Sequence, residues 1–168
     1  MKLLSLSALI LLLACSSSHA QSAKQIAAIR TDVAAINRAA RGYEKRTRNI
    51  DGVSTEGAEA TYYLSGKGLK KIVARVYGET FRATSEYYYS GEELLFAFQK
   101  ISRYNGSIGT SSPPKIVRVE ETRLYRTGGR TVRILSGKTA LKPGDIEFTE
   151  KEYELIEFSD QLRAALAK

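Results

Sequence analysis

Three stretches of the chain share one outline, and that outline constrains the fold more than anything else in the sequence. They are "TYYLSGKGLKKI" (residues 61–72), "EYYYSGEELLFAF" (86–98) and "RLYRTGGRTVRI" (123–134). Each runs from a tyrosine-bearing segment through Ser-Gly or Thr-Gly into a second apolar segment. Reversing a chain within two to five residues usually forces positive φ somewhere in the turn, and glycine supplies it without a steric cost. The flanking residues are β-branched and aromatic, the types that fit a pleated, half-buried surface. The three units therefore read as three β-hairpins, giving an antiparallel meander of about six strands over residues 58–135.

The period of two in a strand then sorts side chains into faces. An even turn in the second unit puts Tyr87 and Tyr89 with Leu94, Phe96 and Phe98 on a core face. A two-residue Gly-Gly turn in the third unit sets Tyr125 opposite Val132, on the face of Val117, Val119 and Ile134. Arg118, Arg126 and Arg133 then share the opposite, outer face, and Tyr88 also points outward. The first unit needs an odd loop to bring Tyr62 and Leu64 to the side of Ile72, Ala74 and Val76.

A helix is expected at each end of the sheet. Ile26, Ile29, Val33, Ile36, Ala40 and Tyr43 recur at spacings of three and four, which places one apolar stripe on a helix over residues 22–41. Fewer than three heptads is short for a coiled coil, so the stripe is expected to dock on the sheet. The segment "EKRTRNIDGVSTEG" reads as a connection, and "NGSIGTSSPP" (105–114) as a loop. Thr149 followed by Glu152 has the spacing of a capping box, opening a helix over 149–167 buried along Leu155, Phe158 and Leu162. The fold class is α+β, with both helices packed on one face of the sheet.

Residues 1–20 carry Lys2 and an apolar run of twelve, the size of a signal-peptide core and too short for a permanent membrane span. "SHA" before Gln21 fits cleavage by small residues. "LLAC" resembles a lipobox, which would make Cys15 a lipidated first residue and tether the protein to a membrane. Cutting after Ala20 removes the single cysteine and the single histidine, leaving residues 21–168 as one domain without the makings of a Cys/His zinc site, a Ser-His-Asp triad or a Cys-His dyad. No metal-ligand spacing, phosphate loop or nucleotide fingerprint occurs, so neither metal nor cofactor is expected. Glu86, Glu93, Glu120 and Glu121 are the carboxylates whose convergence would suggest acid–base chemistry.

Charge is uneven. The formal net charge is +8, yet residues 21–48 carry seven basic against two acidic side chains and residues 145–168 carry three against seven. For an exported chain this favours an anionic partner in the bacterial envelope over nucleic acid. The paired-tyrosine Ser-Gly hairpins, the signal-like start and the terminal helices resemble uncharacterised exported α+β proteins, some of them lipoproteins, of Gram-negative bacteria. The hairpins alone are similar to MORN-type repeats, at irregular spacing. Neither resemblance carries a function with it. The expected role is non-enzymatic binding of an anionic envelope component or protein through Arg118, Arg126, Arg133 and Tyr88, in the periplasm or at the outer membrane. The alternative is a carrier of a small apolar ligand or lipid in a cavity between sheet and helix. Oligomeric state stays open.

Overall fold

The computed structural model describes residues 7–66, 68–109 and 113–167, with side chains from residue 21 onward. The expected targeting segment, including Cys15 and His19, lies outside the described side chains. Among the described residues no helix is long and apolar enough to cross a membrane. Helix α1 (Ser7–Ala39) and a single 3-10 turn (Ala40–Gly42) lead into β1 (Glu44–Asn49), β2 (Ala58–Ser65), β3 (Gly68–Tyr77), β4 (Phe81–Ser90) and β5 (Glu93–Tyr104). After these come β6 (Ile116–Thr127), β7 (Arg130–Ser136), β8 (Thr139–Ala140) and α2 (Ile146–Leu166). All eight strands form one antiparallel sheet in chain order.

The class is α+β, as the sequence implies, but the sheet has eight strands rather than about six. The two additions are the edges. β1 is "EKRTRN", exposed at all six positions, so it carries no alternation to read and is held by pairing with β2. Charged and very short edge strands are the usual defence against edge-to-edge association. β8 has only two residues.

The three repeated units are hairpins with one shared construction. In each, a two-residue turn opens on a glycine in the left-handed region: Gly66 (φ 59°), Gly91 (φ 59°) and Gly128 (φ 58°). Two residue pairs close behind the turn, and the third residue of the returning strand is then skipped as a bulge. The pairs are Ser65↔Gly68 and Leu64↔Leu69 with Lys70 skipped, then Ser90↔Glu93 and Tyr89↔Leu94 with Leu95 skipped. The last unit pairs Thr127↔Arg130 and Arg126↔Thr131 with Val132 skipped. An extra residue shifts every later side chain by one position, because the strand period is two. Hence Tyr87 faces Ala97 rather than sharing a side with Phe96, and Tyr125 sits opposite Arg133 instead of Val132. In the first unit the bulge, not an odd loop, brings Tyr62 opposite Ile72.

A consequence is a single row of paired residues across seven strands: Lys45, Tyr63, Lys71, Tyr88, Phe96, Tyr125 and Arg133. The tyrosines are the residues three before each turn glycine, so the repeat in the sequence becomes an aromatic–cation ladder. Lys45 Nζ lies 5.6 Å from the Tyr63 ring centre and Lys71 Nζ 4.7 Å from that of Tyr88. Phe96 contacts both Tyr88 and Tyr125, at 5.8 and 4.9 Å between ring centres. Helix α1 lies on part of this ladder, with Ile26, Ile29 and Val33 against Phe96, Tyr125, Val132 and Leu135.

Helix α2 occupies the other face. Leu155 and Leu162 are fully buried with Tyr62, Ile72, Tyr87, Leu124 and Ile134. Adjacent strand residues point to opposite sides, so Leu124 beneath α2 and Tyr125 beneath α1 place the helices on opposite faces. The expected one-face packing is corrected here: the bulges move Phe96 and Val132 to the far side and create a second apolar surface for α1. The opening of α2 also differs from the capping-box reading. Asp145 is the N-cap residue, and Thr149 lies inside the helix with its hydroxyl donated to the Asp145 carbonyl at 3.3 Å. Ile146 to Phe148 extend the helix by one turn because Phe148 adds to the buried stripe.

Candidate functional site

On the α2 face, β4 presents Phe81, Ala83, Ser85 and Tyr87 towards the helix, and β5 presents Ala97, Gln99 and Ile101. The sequence fills this face with small or polar residues at Ala83, Ser85 and Gln99, where large apolar ones would close the packing. A cleft of about 360 Å³ results beside α2. Val53, Val76, Phe81, Ile101 and Phe158 supply its apolar wall, while Arg103 and Glu154 stand among its lining residues. That volume is at the small end of the range that holds drug-sized molecules, about 300–1,000 Å³.

Ser85 lines this cleft at 1 % exposure, and its hydroxyl has no hydrogen-bond partner. The Tyr87 hydroxyl, two residues along the same face, is also buried without one. Its ring meets Phe158 edge-on at 6.2 Å. Burial drives the Tyr87 phenol far above its ordinary pKa, opposed by its hydrogen-bonding approach to the Ser85 hydroxyl, so it stays a neutral O–H. The two hydroxyls neighbour each other without completing a well-formed bond. Neighbouring tyrosines are partnered: Tyr62 donates to the Leu162 carbonyl at 2.8 Å, and Tyr89 shares a 2.8 Å bond with Ser159. Buried hydroxyls without a well-formed bond are uncommon in native proteins, and that of Ser85 belongs to the cleft wall.

The ionisable groups of the α1 face form a different arrangement. Lys71 Nζ donates to Glu86 Oε2 at 2.8 Å, to the Tyr88 hydroxyl at 2.8 Å and to Asn37 Oδ1 at 3.0 Å, and Tyr88 donates to Glu86. Burial alone would lower the Lys71 pKa, but its bonds to Glu86 and Tyr88 outweigh that and leave it raised. Burial likewise opposes the Glu86 charge, yet the Lys71 and Tyr88 bonds hold its carboxyl below the usual range. Both groups are thus committed to their ionised forms, which suits a clamp that ties Asn37 of α1 to the sheet.

The residues expected to form a basic binding face do not gather. Arg118 is exposed and paired with Glu120 at 3.2 Å, eight residues and about 27 Å of strand from Arg126. Arg126 donates to the Gly129 carbonyl at 2.7 Å and pairs in register with Thr131, on the α2 side. Arg133 is turned to the α1 side by the Val132 bulge, opposite Tyr125. Tyr88 points away from Tyr87 and Tyr89, as alternation requires, but α1 covers it and leaves 2 % exposed. The four carboxylates also part company. Glu86 binds Lys71, Glu93 accepts from the Gly129 amide, Glu120 binds Arg103 and Arg118, and Glu121 binds Arg123.

A cavity between sheet and helix is the alternative expected from the sequence, but no residue is assigned there to the wall of this cleft. Its signal was present in "FRATSEYYY": two small residues at positions whose alternation places them with Tyr87, facing the core. Among the described residues no group of three or more His, Cys, Asp or Glu could hold a metal ion. No protein-family model, curated protein or solved structure matches the chain, so the cleft and its chemistry are what bear on function.

Proposed function

We propose that the protein is a binding protein that takes up, without chemical change, a small and largely apolar molecule between α2 and the sheet. The observation that carries this reading is the apolar cleft of about 360 Å³ beside α2, whose wall includes a Ser85 hydroxyl without a well-formed bond. A ligand with one hydrogen-bonding group satisfies that hydroxyl while its aliphatic body covers Phe81, Ile101 and Phe158. Burying a side chain's worth of apolar surface gives about 1.5–3 kcal/mol, and each hydrogen bond adds about 1 kcal/mol. A second reading, capture of an anionic envelope partner, draws on the exposed Lys45, Arg46 and Arg48 of edge strand β1 rather than on the dispersed arginines of β6 and β7. In either reading the protein works outside the cytoplasm, as its signal-like start suggests.

The test is titration with medium-chain aliphatic alcohols and acids, followed by thermal shift and by native mass spectrometry. Binding is expected to persist at high salt and to disappear in Ser85→Leu, whose side chain occupies the cleft. Affinity that collapses as salt rises, and that survives Ser85→Leu, would instead favour the ionic reading. Absence of binding by the whole panel would count against the cleft.

A further inference from the structure

Two edges of the sheet are protected, β1 by charge and β8 by brevity, but a third is open. β7 pairs with β6 only from Thr122 to Thr127, and β5 covers β6 on its other side. Among the described residues, no strand therefore pairs with residues 116–120 on the β7 side. Glu121 turns its carbonyl to that side, where the Gly137 amide donates to it at 2.7 Å. Backbone N–H and C=O groups of one residue point the same way in an antiparallel strand, and alternate residues agree. Val119 thus directs both its N–H and its C=O into the open side. Exposed apolar side chains coincide with this stretch: Ile116 at 54 %, Val117 at 63 % and Val119 at 49 %. An apolar edge with free backbone groups is a template for strand addition.

The residues flanking Val119 say what can pair there. Arg118 and Glu120 lie on either side of it, both directed to the α2 face. In an antiparallel pairing centred on Val119, Arg118 of one copy falls opposite Glu120 of the other, twice, and Val119 meets Val119. Shifting the centre by one residue sets Arg118 against Arg118 or Glu120 against Glu120. Opposite charges across strands stabilise by about 0.2–1 kcal/mol per pair and like charges cost as much, so one register of self-pairing is singled out. A two-fold axis of this kind makes an isologous, closed interface. The bulge at Val117 and the turn at Gly137 keep the paired run to a few residues.

We propose that the open edge of β6 joins two copies of this chain, antiparallel about a two-fold axis at Val119, into one continuous sheet. The test is sedimentation velocity of the chain across a wide concentration range, with Arg118→Glu, Glu120→Arg and their mixture. Wild type is expected to dimerise. Each variant alone sets like charges at both cross-strand contacts and weakens association by at least about fourfold. Mixing the two restores both contacts, so a heterodimer forms. Val119→Pro, which removes an N–H unused by β5, is expected to be monomeric with the wild-type circular dichroism spectrum. A wild-type chain that stays monomeric, or variants that fail to pair on mixing, would overturn the proposal. So would dimers unaffected by all three substitutions. Glu120 also binds Arg103 of the cleft wall at 2.7 Å, so the charge variants bear on both sites. Val119→Pro and Ser85→Leu each touch one site alone and keep dimerisation and ligand binding distinguishable.

Discussion

At the scale of single residues, three buried tyrosines on the α2 face make a controlled comparison. Tyr62, Tyr87 and Tyr89 are all within 1 % of complete burial, and all project from β2 or β4 towards α2. Two have partners on α2, and the third has only the Ser85 hydroxyl beside it, without a well-formed bond. Removing a partnered hydroxyl strands the other member of the bond, whereas removing an unpartnered one strands nothing. Tyr62→Phe, which orphans the Leu162 carbonyl, and Tyr89→Phe, which orphans the Ser159 hydroxyl, are each expected to cost about 1–2 kcal/mol. Tyr87→Phe should change stability by less than about 0.5 kcal/mol, or raise it. Urea denaturation of the three variants checks the order, and equal losses would show that Tyr87 has a partner after all. Ser85→Ala belongs with Tyr87→Phe in the free protein and departs from it only where a ligand occupies the cleft.

Elements bring in what no single residue shows. The meander was legible because Tyr, Val and Ile alternate through β2 to β7 and because each turn carries its glycine. The bulges were not, because Lys70, Leu95 and Val132 are ordinary strand residues with no local mark. Each bulge moved half a hairpin to the other face, and this separated Arg133 from Arg126 and brought Phe96 alongside Tyr88 beneath α1. The cleft was legible in principle from Ala83 and Ser85, but only once α2 was known to lie over them. The clamp between α1 and the sheet gives a pH prediction at this scale. Glu86 has a folded-state pKa below its unfolded one, so its contribution is present above about 4.3 and is lost as pH falls through the folded value. Lys71 is raised, so its share is complete below the ordinary lysine range and disappears as pH rises beyond it. The protection of α1 amides near Asn37, measured against the intrinsic exchange rate at each pH, should therefore fall on acidification below about pH 4.3. In Glu86→Gln that protection should already be low at neutral pH and unchanged across the window. Protection in wild type that ignores acid would remove the carboxylate from the clamp.

For the whole molecule, the two-faced arrangement decides how much of the chain the fold requires. Helix α1 is 33 residues long, yet its described contacts with the sheet begin at Ile26 and continue through Ile29, Val33 and Ile36. A chain starting at Gln21 retains each of those contacts, together with the Asn37 bonds to Lys71 and Tyr88. Because those described contacts all remain, it is expected to melt within a degree or two of the longer chain. A chain starting at Glu44 leaves the sheet complete and α2 in place but uncovers Tyr88, Phe96 and Tyr125. Losing the burial of Ile26, Ile29 and Ile36 costs on the order of 5 kcal/mol before relaxation, comparable to the whole stability of many small domains. That shorter chain is expected to be destabilised and to bind a hydrophobic dye at the exposed aromatic ladder. If it instead folds with the stability of the longer one, α1 is an attachment and the ladder was built for another occupant. Differential scanning calorimetry of the two truncations against the full chain distinguishes these outcomes, because the first predicts one large step between residues 21 and 44 and the second predicts none.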